Sequence, residues 1–310
     1  MFETQENHPL WTADGQLRPG WRFVAFAVLA MGMDLLVQMA FGVFRPNGPL
    51  TLLMSEWPGA LAMALVGLLM VRLDGNRGSR GIGETLGLNG RPKGWLRMGQ
   101  GFLLGGAIML ATAGLLWMLG MVHWHRTPMA GWRDLLMGLW LYISVGFYEE
   151  LMFRGYAFSR LREGLGDGRA LAVSALLFAL AHWQNPGMEG GTALMALINI
   201  ALAGVLLGIC VLRSGDLMVA IGVHVGWNWI QGSILGFGVS GTSDTRGWLE
   251  PAFGPAPRWL TGGSFGLEAS VLCAATVVVA CLLMTRRSGA SEVQDLDVND
   301  ARATASEAEA

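Results

Sequence analysis

Two acids and an arginine stand close together in one otherwise apolar run, GFYEELMFRGY at 146–156, which carries Glu149, Glu150 and Arg154. On a helix Glu150 and Arg154 are i and i+4, the spacing and order that let an acid and a base pair on one face. Glu149 points about 100° away and finds no such partner on its own helix. It is the freer carboxylate. Two later runs add Phe178 with His182, and His224 with Asn228, each pair again four residues apart. A desolvated carboxylate beside a neutral imidazole suits a general base that takes a proton from water. An imidazole and a carboxamide on one helix face suit the stabilisation of an oxyanion. Together these residue types describe amide hydrolysis by an activated water, without a covalent intermediate. Ser144 lies near Glu149, but nothing around it resembles a nucleophile elbow. Against this chemistry stand blander readings: an ion pair that only locks the helix, and histidines that only hydrogen-bond neighbouring helices.

The elements that must position these groups are apolar and long. The chain has 310 residues, 53% hydrophobic and 14% charged, with a mean hydropathy of +0.44. A soluble domain carries about 25% charge, so this composition predicts an all-α integral membrane protein. Eight apolar segments are visible, at about 23–44, 50–73, 101–122, 132–158, 170–183, 192–212, 217–237 and 267–285. Eight transmembrane helices enclosing a polar cavity are therefore expected, the fifth short enough to end inside the bilayer. Counted from one membrane face at 1.5 Å per residue, Glu149 lies about 14 Å deep, His182 about 18 Å, His224 about 11 Å and Asn228 about 16 Å. The four converge on one layer.

Of the 21 basic residues, Arg154 alone falls deep inside a segment; the others mark loops, tails and segment ends. Arg18, Arg22, the stretch from Arg72 to Arg97, Arg160 to Arg169, Arg213 and the C-terminal arginines share one side. Fewer lie on the other: Arg45, Arg126, Arg133, Arg246 and Arg258. This bias puts both termini in the cytoplasm of a multi-pass cell-membrane protein. The expected organisation is an N-terminal tail over 1–22, a membrane domain over 23–285 with its core at about 132–237, and an acidic, disordered tail over 286–310. No removable signal peptide is visible. Net charge is −2, which gives no field for nucleic acid. Cys210, Cys273 and Cys281 read as small buried hydrophobes.

Glu149-Glu150-x-x-x-Arg154, Phe178-x-x-x-His182 and His224-x-x-x-Asn228, in this order on three successive helices, resemble the signature of the CAAX prenyl protease type II and bacteriocin-processing family (CPBP, or Abi) of glutamate intramembrane proteases. The stretch from Thr261 to Ser270 resembles one seen in its prokaryotic members. The resemblance implies that Glu149 activates water with His182 as its partner, that His224 and Asn228 form the oxyanion site, and that Glu150 and Arg154 support the cluster. It implies an eight-helix fold, no cofactor and no metal. The partners it implies are a peptide or protein substrate and the lipid bilayer. Prenylated proteins are substrates of the eukaryotic branch, and prokaryotic relatives include proteins of immunity to self-made peptides.

Three rival readings remain beside it. His182, His224 and Glu149 could hold zinc, making a zinc-dependent, metalloprotease-like enzyme, although no His-Glu-x-x-His motif accompanies them. The protein could be a non-proteolytic scaffold or a bacteriocin-immunity factor. It could also be a proton-coupled transporter that uses Glu149 and Asp34. Asp34 and Gln38, i and i+4 in the first segment, are expected to form an interhelical hydrogen-bond pair. His123 and His125 are expected in a polar interfacial loop. The basic stretch from Arg72 to Arg97 is expected to be a topogenic cytoplasmic loop.

Overall fold

The computed structural model describes residues 8–12, 15–44, 56–74, 83, 86–88, 94–128 and 130–286. The expected acidic tail, Arg45, and most of the basic stretch between Arg72 and Arg97 lie outside the described residues. The helices are α1 (Pro19–Phe44), α2 (Trp57–Leu73), α3 (Gly94–Met118), α4 (Trp132–Arg154), α5 (Tyr156–Leu165), α6 (Asp167–Ala181), α7 (Gly190–Ser214) and α8 (Leu217–Asn228). The last described helix is α9 (Val271–Arg286). A π-helical turn, Trp229–Ile234, continues α8.

Among the described residues four helical stretches are long and apolar enough to cross a membrane: Pro19–Ala40, Gly94–Met118, Trp132–Leu165 and Gly190–Ser214. Two shorter apolar helices, Trp57–Leu73 and Val271–Arg286, accompany them. The mostly helical architecture and these four stretches fit a membrane protein. In the apolar window of α1 only 11% of residues are buried, and large side chains such as Leu103 and Leu61 face outward, as lipid contact requires.

Two expectations need correction. The run expected to continue through 158 leaves helical geometry at Gly155 (φ −75°, ψ −125°), so that α4 ends at Arg154 and α5 begins anew. The second concerns the loop expected for His123 and His125, where a short two-stranded ribbon stands in an otherwise helical fold. His123 and His125 lie on β1 (Val122–Arg126), which pairs antiparallel with β2 (Leu249–Phe253), His125 opposite Glu250. Pairing with β2 satisfies backbone groups that a free loop would leave to water.

The helix that carries His224 and Asn228 is set by a glycine zipper. Gly101 and Gly105 of α3 face Gly222 and Gly226 of α8, and the two backbones touch. A Cβ at Gly105 would stand 2.0 Å from the Val223 carbonyl oxygen, and one at Gly222 2.0 Å from that of Met98. Small residues four apart permit this approach between membrane helices, where van der Waals packing drives association. His224, between Gly222 and Gly226 in sequence, is turned about 200° from the zipper face and points to the other side of α8. The start of α8 is fixed by Asp216, whose side chain accepts from Met218 N at 2.7 Å, a usual N-cap.

A second ionic cluster ties the other helices together at one end. Arg22 contacts Glu163 at 2.7 Å and Asp74 at 3.7 Å, and Arg160 contacts Glu163 at 2.6 Å and Asp74 at 3.6 Å. The Tyr156 hydroxyl donates to Asp74 at 2.8 Å. These contacts join the ends of α1, α2 and α5, close to the break at Gly155.

Candidate active site

α4, α6 and α8 bring Glu149, Glu150, Arg154, His182, His224 and Asn228 into one place. The Nε2 atoms of His182 and His224 each lie 3.7 Å from the same atom, Glu149 Oε2. That oxygen has no hydrogen-bond partner among the described residues. Both imidazoles are anchored through their other nitrogen. His182 Nδ1 is 2.8 Å from the Phe178 carbonyl oxygen, and His224 Nδ1 is 3.0 Å from Glu150 Oε1. A carbonyl or carboxylate oxygen only accepts, so each Nδ1 carries a proton and donates it. In a neutral ring Nε2 then holds the lone pair. Two ring nitrogens facing one carboxylate oxygen leave a site for a shared proton or a water.

The supporting residues explain why the signature contains what it does. Arg154 Nη1 donates to Glu150 Oε1 at 3.1 Å, so this one oxygen accepts from both the guanidinium and His224. Both side chains of the pair are completely buried. The guanidinium lies over the Phe178 ring, 4.1 Å from its centroid, and Nη2 reaches the Gly204 carbonyl oxygen at 3.4 Å. A Cβ at Gly204 would come within 2.9 Å of the Ala175 backbone and 3.2 Å of Arg154 Nη2; glycine there admits both α6 and the guanidinium. Phe178 also meets His182 edge-on at 4.7 Å between centroids. Sequence reasoning gave Phe178 no role, although its spacing from His182 was in view.

A cavity of about 840 Å³ opens onto this cluster. Glu149, His182, His224 and Asn228 line it, with Asp34, Glu56, Tyr148, Asn185, Ser240, Asp244 and Glu268 among its polar walls. Asn228 is 5% exposed, one turn beyond His224. No hydrogen bond of its side chain is seen among the described residues, so the carboxamide is available to a ligand.

Other expected features fall differently. Ser144 is fully buried and donates to the Leu141 carbonyl oxygen at 2.7 Å, a helix-internal bond. The Asp34 and Gln38 pair is not interhelical: Gln38 Nε2 donates to Asp34 Oδ2 within α1 at 2.7 Å, and the interhelical bond comes from Tyr148, whose hydroxyl donates to Asp34 Oδ1 at 2.7 Å. Cys210 and Cys273 are buried and Cys281 is half-buried. Among the described residues no group of three or more His, Cys, Asp or Glu is arranged to hold a metal ion. The zinc reading gains no support from this site.

The stretch from α4 to the first residues of the π-helical turn, residues 131–230, matches the family model described as type II CAAX prenyl endopeptidase Rce1-like. Over these residues, about a third of the chain, the protein is similar to that family. The Rce1-like segment contains Glu149, Glu150, Arg154, Phe178, His182, His224 and Asn228, and agrees with the resemblance carried by their spacing. It supports a membrane protease of the CAAX type, a hydrolase with peptide or protein substrates. No curated protein matches the chain.

Proposed function

We propose that the protein is an intramembrane endopeptidase that hydrolyses a peptide bond with a water activated by Glu149, without metal. The observation that carries this reading is the convergence of two anchored imidazole Nε2 atoms on the unpartnered Glu149 Oε2, each at 3.7 Å. The distances are too long for direct hydrogen bonds and suit groups that act on a water held among them.

In this reading water gives a proton to Glu149 while its oxygen attacks the peptide carbonyl carbon. His182 Nε2, unprotonated because Nδ1–H is given to Phe178, accepts the second water hydrogen as a hydrogen bond and orients the nucleophile. The carbonyl oxygen becomes an oxyanion and receives the Asn228 Nδ2–H. His224, whose Nδ1–H is given to the Glu150 carboxylate, donates to the oxyanion from Nε2 as an imidazolium. Glu149 then returns its proton to the leaving nitrogen as the C–N bond breaks. Arg154 and Glu150 hold His224 in register.

The same proposal takes the apolar helices as a multi-pass bundle of eight spans with both termini cytoplasmic, in line with the distribution of arginines. It also retains the division into an N-terminal tail, a membrane domain and an acidic C-terminal tail.

The test is cleavage in proteoliposomes of two internally quenched peptides, one ending in a farnesylated CAAX sequence and one identical but unprenylated. The wild-type chain is expected to cleave at least one and Glu149→Gln neither. Cleavage by Glu149→Gln at the wild-type rate overturns the mechanism. Full cellular function of that variant would favour the scaffold or immunity reading.

A further inference from the structure

Beyond the Rce1-like segment, one buried carboxylate has an unusual set of partners. Glu268 lies on a short 3-10 turn, Leu267–Ala269, just before α9, is 6% exposed and lines the same cavity as Glu149 and Asn228. Its two oxygens accept four hydrogen bonds. Trp227 Nε1 and Ser240 Oγ each reach Oε1 at 3.2 Å, Gln231 Nε2 reaches Oε2 at 3.2 Å, and the Ser240 backbone N–H also donates to Oε2.

These donors come from both walls of the proposed hydrolytic site. Trp227 is the residue before Asn228, and Gln231 lies on the π-helical turn that follows it, an irregularity that often marks functional sites. Ser240 belongs to the loop whose carbonyl oxygen accepts from Asn185 Nδ2 at 2.9 Å. Asn185 in turn donates its backbone N–H to the His182 carbonyl oxygen at 3.1 Å. One carboxylate therefore links the end of the helix bearing His224 and Asn228 to the turn behind His182.

We propose that Glu268 is a positioning residue for this site: it fixes the carboxamide of Asn228 and the ring of His182 relative to Glu149. The proposal rests on the hydrolytic reading above and assigns the work to acceptor capacity. A glutamine would direct its own N–H group at donors, whereas an aspartate keeps two acceptor oxygens.

The experiment compares wild type, Glu149→Gln, Glu268→Gln, Glu268→Asp, Asn228→Ala and the double variant Glu268→Gln/Asn228→Ala on whichever peptide the wild type cleaves. Small misplacements of catalytic groups cost up to about a hundredfold in rate, so Glu268→Gln is expected to lose about tenfold to a hundredfold in kcat with KM within about twofold. Glu268→Asp should recover part of the loss. The double variant should lose less than the product of the two single losses, because Asn228 is one of the two groups that Glu268 positions. Wild-type kcat in Glu268→Gln, or losses that multiply in the double variant, overturns the proposal and leaves the Glu149 mechanism standing.

A second readout does not depend on turnover. In histidine-labelled protein the ring resonances of His182 and His224 should shift in Glu268→Gln while those of His8, His123 and His125 stay, which also shows that the chain has folded. Unmoved His182 and His224 signals overturn the proposal even if the wild type cleaves neither peptide. In that event the hydrolytic reading fails by its own test.

Discussion

Glu150 Oε1 lies 3.0 Å from His224 Nδ1, joining a carboxylate of α4 to an imidazole of α8. The same oxygen accepts from Arg154 at 3.1 Å. The adjacent acids thus have divided roles. Glu150 holds a histidine by one nitrogen, and Glu149 faces the other nitrogen of that ring across the cavity.

This division predicts unequal effects of the same substitution. Glu149→Gln removes the base and should abolish cleavage. Glu150→Gln keeps the shape but lets its N–H group meet the His224 donor, which reverses the tautomer; a group that orients a catalytic histidine typically matters by about 10⁴-fold or less in kcat. Measured kcat for Glu150→Gln should therefore fall well below wild type yet stay above the Glu149→Gln background. Equal residual rates would show that the two acids share one role.

The Arg154 and Glu150 pair has no exposed surface, so breaking it from one side leaves an uncompensated buried charge. Arg154→Met should destabilise the protein by about 3–5 kcal/mol. Adding Glu150→Gln removes the orphan charge, and the double variant should melt closer to wild type than Arg154→Met does. Thermal unfolding in detergent, read as a double-mutant cycle, checks the pair. Additive losses would show that the charges do not compensate one another.

Much of this cluster was legible because an ion pair at i, i+4 and polar groups in apolar runs are visible in one dimension. The three signature pairs name Glu149, Glu150, Arg154, His182, His224 and Asn228, and the structure brings all six together. What spacing did not show was contact between helices. That His224 binds Glu150, that Arg154 stacks on Phe178, and that Tyr148 reaches Asp34 depend on the packing of α1, α4, α6 and α8. Glu268 fell within the stretch from Thr261 to Ser270, but its role was hidden for the same reason: its donors Trp227, Gln231 and Ser240 lie 28 to 41 residues earlier in the chain. The ribbon of His123 and His125 was missed because β2, its partner, lies more than a hundred residues later. The zipper, by contrast, left a signal in Gly101-x-x-x-Gly105 and Gly222-x-x-x-Gly226 that a general count of glycines passes over.

Both oxygens of Asp34 are occupied, one by Gln38 and one by Tyr148. A carboxylate so engaged ties α1 to α4 and is poorly placed to relay protons. Asp34→Asn should keep the peptide cleavage rate within about threefold while lowering stability by about 1.5–3 kcal/mol, the worth of a hydrogen bond to a charged group. Proton flux through wild-type vesicles that disappears in Asp34→Asn would instead support the transporter reading.

The glycine zipper makes a prediction about position that activity alone would not reveal. A Cβ at Gly105 meets the Val223 carbonyl oxygen at 2.0 Å, whereas one at Gly114, on the same helix, meets nothing within 4 Å. Alanine is intrinsically the better helix former by about 1 kcal/mol, so Gly114→Ala should be neutral or stabilising. Gly105→Ala must push α8 away from α3, and overpacking of this kind costs about 1–3 kcal/mol. Because α8 carries His224 and Asn228 on the side away from the zipper, any folded Gly105→Ala protein should also lose kcat. Melting temperature and turnover measured on the two variants separate the effects. A Gly105→Ala protein as stable and as active as Gly114→Ala would mean that backbone contact between α3 and α8 does not set the site.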